Sequence, residues 1–421
     1  MDRPDFLSAP CREMFRRLYA GDAAAQPARY AAAYASFTAA FGDKAGVRMF
    51  SAPGRSELSG NHTDHQLGRV LAAAVTLDML AAARPRDDGR VCICSEGYPP
   101  FSLTLCDTAA RACERETSAG LVRGVADWLV AHGYRTGGFD AYVTSAVPKG
   151  SGLSSSAAYS ILICTIFSYL YNDGRVSSVE QAFSGKHAEN VYFGKPSGLM
   201  DQLASASGGF VAIDFQDPDA PGVERIDCDL AAHGYGVCIV NAGGSHANLT
   251  NEYAAVPAEM GAVAAFYGQT HLRGVDEDAF YRDLPKLRKA AGDRAVLRAM
   301  HFFRENARVY EQTDALRTGD IDTFRRLMLE SGRSSFELLQ NVCPRDPSER
   351  SIALALALSE RLLAGRGAWR IHGGGFAGTV QALVPLSLVD AYAGEMERVF
   401  GQGCCYRLAV RPVGGAEAPL R

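Results

Sequence analysis

The stretch Ala157 to Tyr171 constrains this chain more than any other. It is apolar almost throughout, broken only by Ser160, Thr165 and Ser168. It is shorter than the roughly 20 residues a bilayer span needs, so it reads as a helix buried inside a protein core. It opens directly from a Gly/Ser segment, Pro148-Lys149-Gly150-Ser151-Gly152-Leu153-Ser154-Ser155-Ser156. Free N–H groups and the positive dipole end of a helix make a ready anion site, and glycines let backbone approach a phosphate closely. The alternative is a serine-capped buried helix with no ligand. The loop is not a Walker A motif, because no Gly-Lys-Ser/Thr closes it.

The elements around this helix do not alternate as βαβ units. Met14 to Phe41 has helical spacing and ends at Gly42. Val47-Arg48-Met49-Phe50, the small-residue run from Gly68 to Ala83, Val91–Cys94, Phe101–Leu105 and Phe139–Val143 read as strands, with one helix at Leu121–His132. Strands grouped before the main helices argue for an α+β fold with a mixed sheet. The Asp/Pro-rich segment Asp214 to Arg225 is the best linker candidate. It divides the chain into domains at 1–220 and 221–421, sizes that 421 residues readily supply. Beyond it lie a strand at Gly236–Asn241, a largely helical region from Glu252 to Leu339, and a helix at Ile352–Leu363.

A net charge of −4 without a dense Lys/Arg cluster excludes a nucleic-acid face, and no segment calls for a membrane. The eleven cysteines are odd in number and scattered, mostly in apolar runs such as Val91-Cys92-Ile93-Cys94. They read as free thiols in a reducing, cytoplasmic setting. The N-terminus shows no basic start followed by an apolar core, so no signal peptide is expected.

Two further constellations carry chemistry. Gly198-Leu199-Met200-Asp201-Gln202 places a carboxylate among apolar residues and follows Glu189. A buried carboxylate is costly unless it is paired or functional. Asp201 could equally cap a helix, and Glu189 could be a solvated helix residue. Pro53-Gly54-Arg55-Ser56-Glu57-Leu58-Ser59-Gly60-Asn61-His62-Thr63-Asp64-His65 packs donors and acceptors densely, as a polyhydroxylated ligand requires. A zinc site from His62, Asp64 and His65 is the competing reading, although the sequence offers no strong further ligand.

Together these segments resemble the three motifs of the GHMP kinase superfamily, and of galactokinases in particular. Residues 53–64 resemble the galactokinase signature and 150–157 the ATP loop. Ile371-His372-Gly373-Gly374-Gly375-Phe376-Ala377-Gly378 resembles the third motif. Asn251-Glu252-Tyr253, and Glu330-Ser331 with Val342-Cys343-Pro344, also match in family order. The resemblance implies an N-terminal ribosomal-S5-like domain, a C-terminal ferredoxin-like domain, and ATP-dependent phosphorylation of galactose at its anomeric hydroxyl. It implies that Asp201 is the general base, with Arg55 keeping it ionised and stabilising the transferring phosphoryl group. Ser156 and Glu189 would hold Mg²⁺. Asn61, His62, Thr63, Asp64, Gly198 and Tyr253 would contact the sugar. Gly150, Ser151, Gly152, Leu153, Ser154, Ser155 and Ser156 would wrap the phosphates of ATP.

The sequence departs from the pattern at Asn61, where galactokinases carry Glu, and at His65, where Tyr is usual. Tyr253 leads into Ala254-Ala255-Val256-Pro257 rather than arginines, and His372 and Ala377 stand where small or glycine residues are usual. A kinase for another sugar, such as N-acetylgalactosamine, and a catalytically silent sugar sensor are the alternatives. The oligomeric state is not legible.

Overall fold

In the computed structural model, the Ala/Val/Leu run after Gly68 forms one strand of 18 residues, Arg69–Arg86. Its small side chains are buried on both faces. Leu71, Ala73, Val75, Ala81 and Ala83 face the central core with the apolar helix Ser155–Tyr171. Leu80 and Ala82 face the N-terminal helices, and Val70 and Ala72 face the helix Met200–Ser207. A strand covered on both sides reads as a continuous apolar run.

The structure describes residues 4–42, 45–148, 150–243, 249–376 and 378–419. Lys149 of the Gly/Ser loop and Ala377 of the third motif lie outside the described residues. Within them the strands are β1 (Arg48–Ser59), β2 (Arg69–Arg86), β3 (Arg90–Ser95), β4 (Phe101–Thr104), β5 (Gly138–Ser145) and β6 (Phe210–Asp214). They continue as β7 (Gly222–Ile226), β8 (Tyr235–Asn241), β9 (Ala368–His372), β10 (Thr379–Pro385), β11 (Cys405–Leu408) and β12 (Ala416–Ala418). The first sheet runs β12-β1-β2-β5-β3-β4, with β6 also on β2 and β7 on β6. The second runs β11-β8-β10-β9. Only β3 and β5 pair in parallel, so the α+β reading holds, and no βαβ ladder organises the fold.

Three expectations change. The N-terminal helical segment is two helices, Ala9–Tyr19 and Gln26–Phe41, joined by a 3₁₀ turn over Ala20–Ala25. Ala20 breaks the first at φ 47°, and a proline in the first turn opens the second. The strand beginning near Val47 does not stop at Pro53-Gly54 but continues to Ser59. The Asp/Pro-rich segment does not leave the first sheet. Residues 215–221 are the turn of the β6–β7 hairpin, and the sheet later takes back β12 from the far end of the chain. Among the described residues no helix is long and apolar enough to cross a membrane, and all eleven cysteines are free thiols.

Candidate active site

The site begins at irregularities in β1. Its register with β2 shifts between Pro53 and Arg55 and again between Glu57 and Ser59. Proline supplies no N–H to a ladder, and a bulge re-aims the side chains beside it. Here the bulge turns the backbone of Arg55 toward the Gly/Ser loop, where its N–H donates to Leu153 O at 3.0 Å. Gly54 permits the approach, since a Cβ there would lie 2.9 Å from that same carbonyl oxygen. The guanidinium then reaches both the loop and the next helix. Nη1 donates to Gly152 O, and Nε donates to Asp201 Oδ1 at 2.7 Å with Nη2 at 2.6 Å.

Ser154 precedes the apolar helix in the left-handed conformation, with φ 57°. Its hydroxyl does not cap that helix. It donates instead to Asp201 Oδ2 at 2.6 Å, which leaves the first-turn N–H groups without a side-chain cap and open to an anion. Of the loop residues expected to wrap the phosphates, Ser151 and Leu153 turn their side chains inward. Both are fully buried, and the Ser151 hydroxyl is spent on Pro148 O at 2.7 Å. Their share in holding an anion is limited to backbone. Gly150, Ser155 and Ser156 lie at the accessible mouth of the loop.

Asp201 sits in the first turn of Met200–Ser207 without capping it. Burial pushes its carboxyl upward, but the Arg55 charge and the bonds from Ser154 and Arg55 overcome this, with Lys195 adding to them. The carboxyl is held below the ordinary Asp value. Glu189 is not a solvated helix residue. It lies in a π-turn, Ala188–Phe193, with its side chain 2% exposed. Ser197 Oγ donates to its Oε2, whereas Oε1 is buried without a hydrogen-bond partner. Lys195 Nζ lies between Glu189 Oε2, at 3.8 Å, and Ser156 Oγ, at 3.5 Å.

On the other side of Asp201, the turn after β1 carries His62, Asp64 and His65. The Asp64 carboxylate has no hydrogen-bond partner among the described residues and faces Gly198, where a Cβ would come within 3.0 Å of Asp64 Oδ2. His62 Nε2 donates to Gly374 O at 2.8 Å, and its Nδ1 lies 3.3 Å from His65 Nε2. Burial lowers both imidazoles, that of His65 to about 4, so the pair is neutral near pH 7. Tyr253 Oη donates to Gly375 O at 2.7 Å, closing the pocket with the third motif. No cluster of three or more His, Cys, Asp or Glu side chains among the described residues could hold a metal, so the zinc reading falls.

Two expected sugar contacts are corrected. Thr63 is fully buried, and its hydroxyl holds the turn through Gly60 O at 2.8 Å and Arg69 O at 2.6 Å. Asn61 is 1% exposed. Its amide donates to Glu57 Oε1 at 3.1 Å and Gly373 O at 2.7 Å, and accepts from Asn341 Nδ2 at 2.7 Å. Both of its N–H donors and one acceptor site of its oxygen are used inside the protein.

Sequence reasoning missed several participants. A cavity of about 550 Å³ adjoins Ser155 and Ser156 and is walled by Tyr98, Ser118, Thr144, Tyr159 and Phe193. These residues come from five separated segments with no shared motif. Glu305, fully buried on the helix Asp293–Thr318, accepts from Ser59 Oγ and Gly60 N, both at 3.0 Å, and from Ser331 Oγ at 2.6 Å. His372, which departs from the third-motif pattern, packs beneath the loop: a Cβ at Gly152 would lie 3.0 Å from its Nδ1.

A galactokinase galactose-binding signature matches residues 35–85, and a GHMP kinase N-terminal domain matches residues 120–209. The first contains Arg55 and the His62–Asp64 turn; the second contains the loop, Glu189 and Asp201. Among solved structures, Lactococcus lactis galactokinase complexed with galactose is similar at 24% identity and a TM-score of 0.77, over 91% of this chain and 98% of that one. Methanococcus jannaschii mevalonate kinase is similar at 14% identity and 0.57, over 87% and 99%. A D-glycero-D-manno-heptose 1-phosphate kinase from Bacteriodes thetaiotaomicron is similar at 15% and 0.59, over 88% and 98%. They share the fold.

Proposed function

We propose that this chain, a GHMP kinase carrying the galactokinase galactose-binding signature, transfers the γ-phosphoryl group of ATP to the anomeric hydroxyl of galactose. The observation that carries the reading is the meeting of three segments at one carboxylate: Arg55 from β1, Ser154 from the loop and Asp201 from the helix beyond it. A carboxylate offers about four acceptor sites. Two on Oδ1 go to Arg55 and one on Oδ2 to Ser154, which leaves one on Oδ2 for a substrate hydroxyl. Asp201, already ionised, takes the proton as the sugar oxygen bonds to the γ-phosphorus and the bond to the ADP oxygen breaks. Arg55 answers the charge on the phosphoryl group. Positioning and charge neutralisation of this kind make up most of phosphoryl-transfer catalysis.

His62, Asp64, Gly198 and Tyr253 line the sugar side. The unpartnered Asp64 carboxylate suits a pair of sugar hydroxyls. The loop and the uncapped helix start hold the phosphates, and the cavity beside Ser155 and Ser156 takes the adenine. Glu189 and Ser156 are a hard oxygen pair suited to Mg²⁺, and the buried, unpartnered Glu189 Oε1 fits that role. When bound, the ion supplies positive charge to the phosphate oxygens. The free thiols fit a cytoplasmic setting, and our reading of the domain boundary moves from residue 220 to between β7 and β8, where the chain passes from the first sheet to the second.

The test is ADP release from ATP over a panel of free sugars, with and without Mg²⁺. Galactose is expected to lead and Mg²⁺ to be required. Preference for N-acetylgalactosamine would reassign the sugar. Silence on every sugar, with binding intact, would make the chain a sensor. In Glu189→Gln the Mg²⁺ requirement rises; an unchanged requirement removes Glu189 from the metal site.

A further inference from the structure

We propose that Lys195 is a phosphate-binding residue of the nucleotide site, its ammonium standing between Ser156 and Glu189 until the phosphates of ATP or ADP draw it over. The proposal rests on the kinase reading above and adds to it a residue that none of the three motifs supplies.

Three observations carry it. The first is position. Nζ lies 3.5 Å from the Ser156 hydroxyl, in the first turn of the uncapped apolar helix, and 3.8 Å from Glu189 Oε2. An anion on that helix start is therefore within reach of the ammonium. The second is the contrast between a fixed backbone and a free side chain. Gly194 N and Lys195 N both donate to Glu189 O, at 2.9 and 3.0 Å. Two residues on, Ser197 N donates to Asn190 Oδ1 at 2.7 Å, and Asn190 Nδ2 donates back to Ser197 O at 3.2 Å. The Lys195 backbone is thus pinned beside Glu189, while its side chain stays 53% exposed on a flexible stem.

The third observation is incomplete pairing. Burying a carboxylate as deeply as that of Glu189 is costly without charge and hydrogen bonds around it. It receives one hydroxyl and one ammonium at the edge of ion-pair range, and its Oε1 receives nothing. So loose a pair contributes little to stability, and its geometry suits exchange better than structure. Were Ser156 and Glu189 to hold a divalent ion, as proposed above, the ammonium would be displaced from between them. Phosphate oxygens at the helix start would then share the ammonium with Asp201, whose carboxyl its charge already helps to lower. Lys195 would thereby serve twice, as the cation beside Glu189 and Ser156 and as a phosphate ligand when nucleotide is bound.

The test is calorimetric binding of ADP to the full chain, in EDTA and in excess Mg²⁺. For wild type against Lys195→Met, we expect a loss of about tenfold or more in EDTA, as for a charge-assisted contact. The loss should be smaller in Mg²⁺, where the ion carries part of the charge, and Lys195→Arg should retain most of the affinity. The half-exposed position predicts unchanged thermal stability. Equal affinity of wild type and Lys195→Met in EDTA overturns the proposal. So does an equal loss with and without Mg²⁺ accompanied by weakened galactose binding, which would mark a structural role. Failure of wild type itself to bind ADP in either condition would count against the kinase reading instead.

Discussion

Arg55 grips Asp201 by a single oxygen: Nε and Nη2 both fall on Oδ1, at 2.7 and 2.6 Å, and leave Oδ2 to Ser154. The two halves of the carboxylate therefore do different things. Oδ1 is saturated by charge and fixes the ionisation state, whereas Oδ2 keeps one lone pair facing the cleft. A carboxylate held this way is ionised before any ligand arrives, as the general base proposed above must be.

Asp201→Asn keeps the shape and the Oδ1 contact but replaces the basic oxygen with an amide that cannot take a proton. Loss of a general base costs about 10²–10⁴-fold, so turnover should fall by at least that much while galactose and ADP still bind. Steady-state turnover with binding calorimetry checks it. Turnover within a few-fold of wild type would remove Asp201 from the chemistry.

Ser154→Ala tests the ionisation state. Asp201 must be charged to act, so activity is present above its pKa and is lost as pH falls through it. That pKa lies below the ordinary Asp value, and no acid limb from this residue should appear near neutral pH in wild type. Removing the Ser154 hydroxyl takes away a bond to the charged form while the upward push of burial remains. The acid limb of kcat/KM should therefore move up by about one pH unit, the value of one charge-assisted bond, while Asp201 stays ionised at neutral pH. A pH profile superimposable on wild type would show that Ser154 does not hold the carboxylate low.

Much of this site was legible because its chemistry is carried by contiguous segments. Arg55, the Gly/Ser loop, the His62–Asp64 turn and Asp201 each sit in a short motif whose composition signals a special backbone. What lay hidden depends on the third dimension. Nothing local marks Glu305, which reaches the Gly60 turn from 245 residues away. The walls of the 550 Å³ cavity come from separate strands and helices that meet only in the fold. Asn61 misled for a related reason. Its neighbours His62 and Asp64 are partly exposed, whereas Asn61 itself is buried in bonds to Glu57, Gly373 and Asn341, partners distant in sequence except for the first. The break over Ala20–Ala25 falls where the large apolar residues lapse between Tyr19 and Tyr30 and where Gly21 and Pro27 stand, a local signal that the helical spacing on either side outweighed.

Glu305 is the buried anchor of the Gly60 turn, which carries the proposed sugar ligands His62 and Asp64. Burial pushes its carboxyl upward, yet Arg308, with His301, Arg370 and Ser331 behind it, brings it to about 2. A folded value below the unfolded one means that the stabilisation is present above about pH 4.5 and is lost as pH falls toward 2. Glu305→Gln leaves Arg308 with no charged partner at that position, at a cost of about 3–5 kcal/mol, and sets an N–H against Gly60 N–H or Ser59. The expected results are a lower Tm, a flatter loss of stability with acid, and a galactose KM raised several-fold with the ATP KM unchanged. If the variant does not fold, Ser59→Ala removes one bond and should raise the galactose KM modestly. A galactose KM unmoved in both variants would separate this anchor from the sugar pocket.

Asn61→Glu is the sharpest test of the buried network. Were position 61 to face the sugar, a carboxylate there would strengthen a substrate contact and change selectivity. The structure predicts otherwise. The substitution deletes the donors to Glu57 Oε1 and Gly373 O, and places a second carboxylate about 3 Å from that of Glu57. Burial already raises the Glu57 carboxyl despite Arg370, so a second acid there forces one of the two to protonate or the turn to open. A lone charge left uncompensated in such a place costs several kcal/mol. The Tm should therefore fall by several degrees near neutral pH and recover partly in mild acid, where one of the two carboxyls can protonate. Asn61→Gln, which keeps the donors but is one methylene longer, should be milder. Thermal melts from pH 5 to 8 read this directly, alongside galactose and 6-deoxygalactose kinetics. A fully stable Asn61→Glu with sharpened selectivity for galactose would show that the side chain turns outward to the sugar in solution. In that case the hydrogen bonds to Glu57, Gly373 and Asn341 would not hold it in the working enzyme.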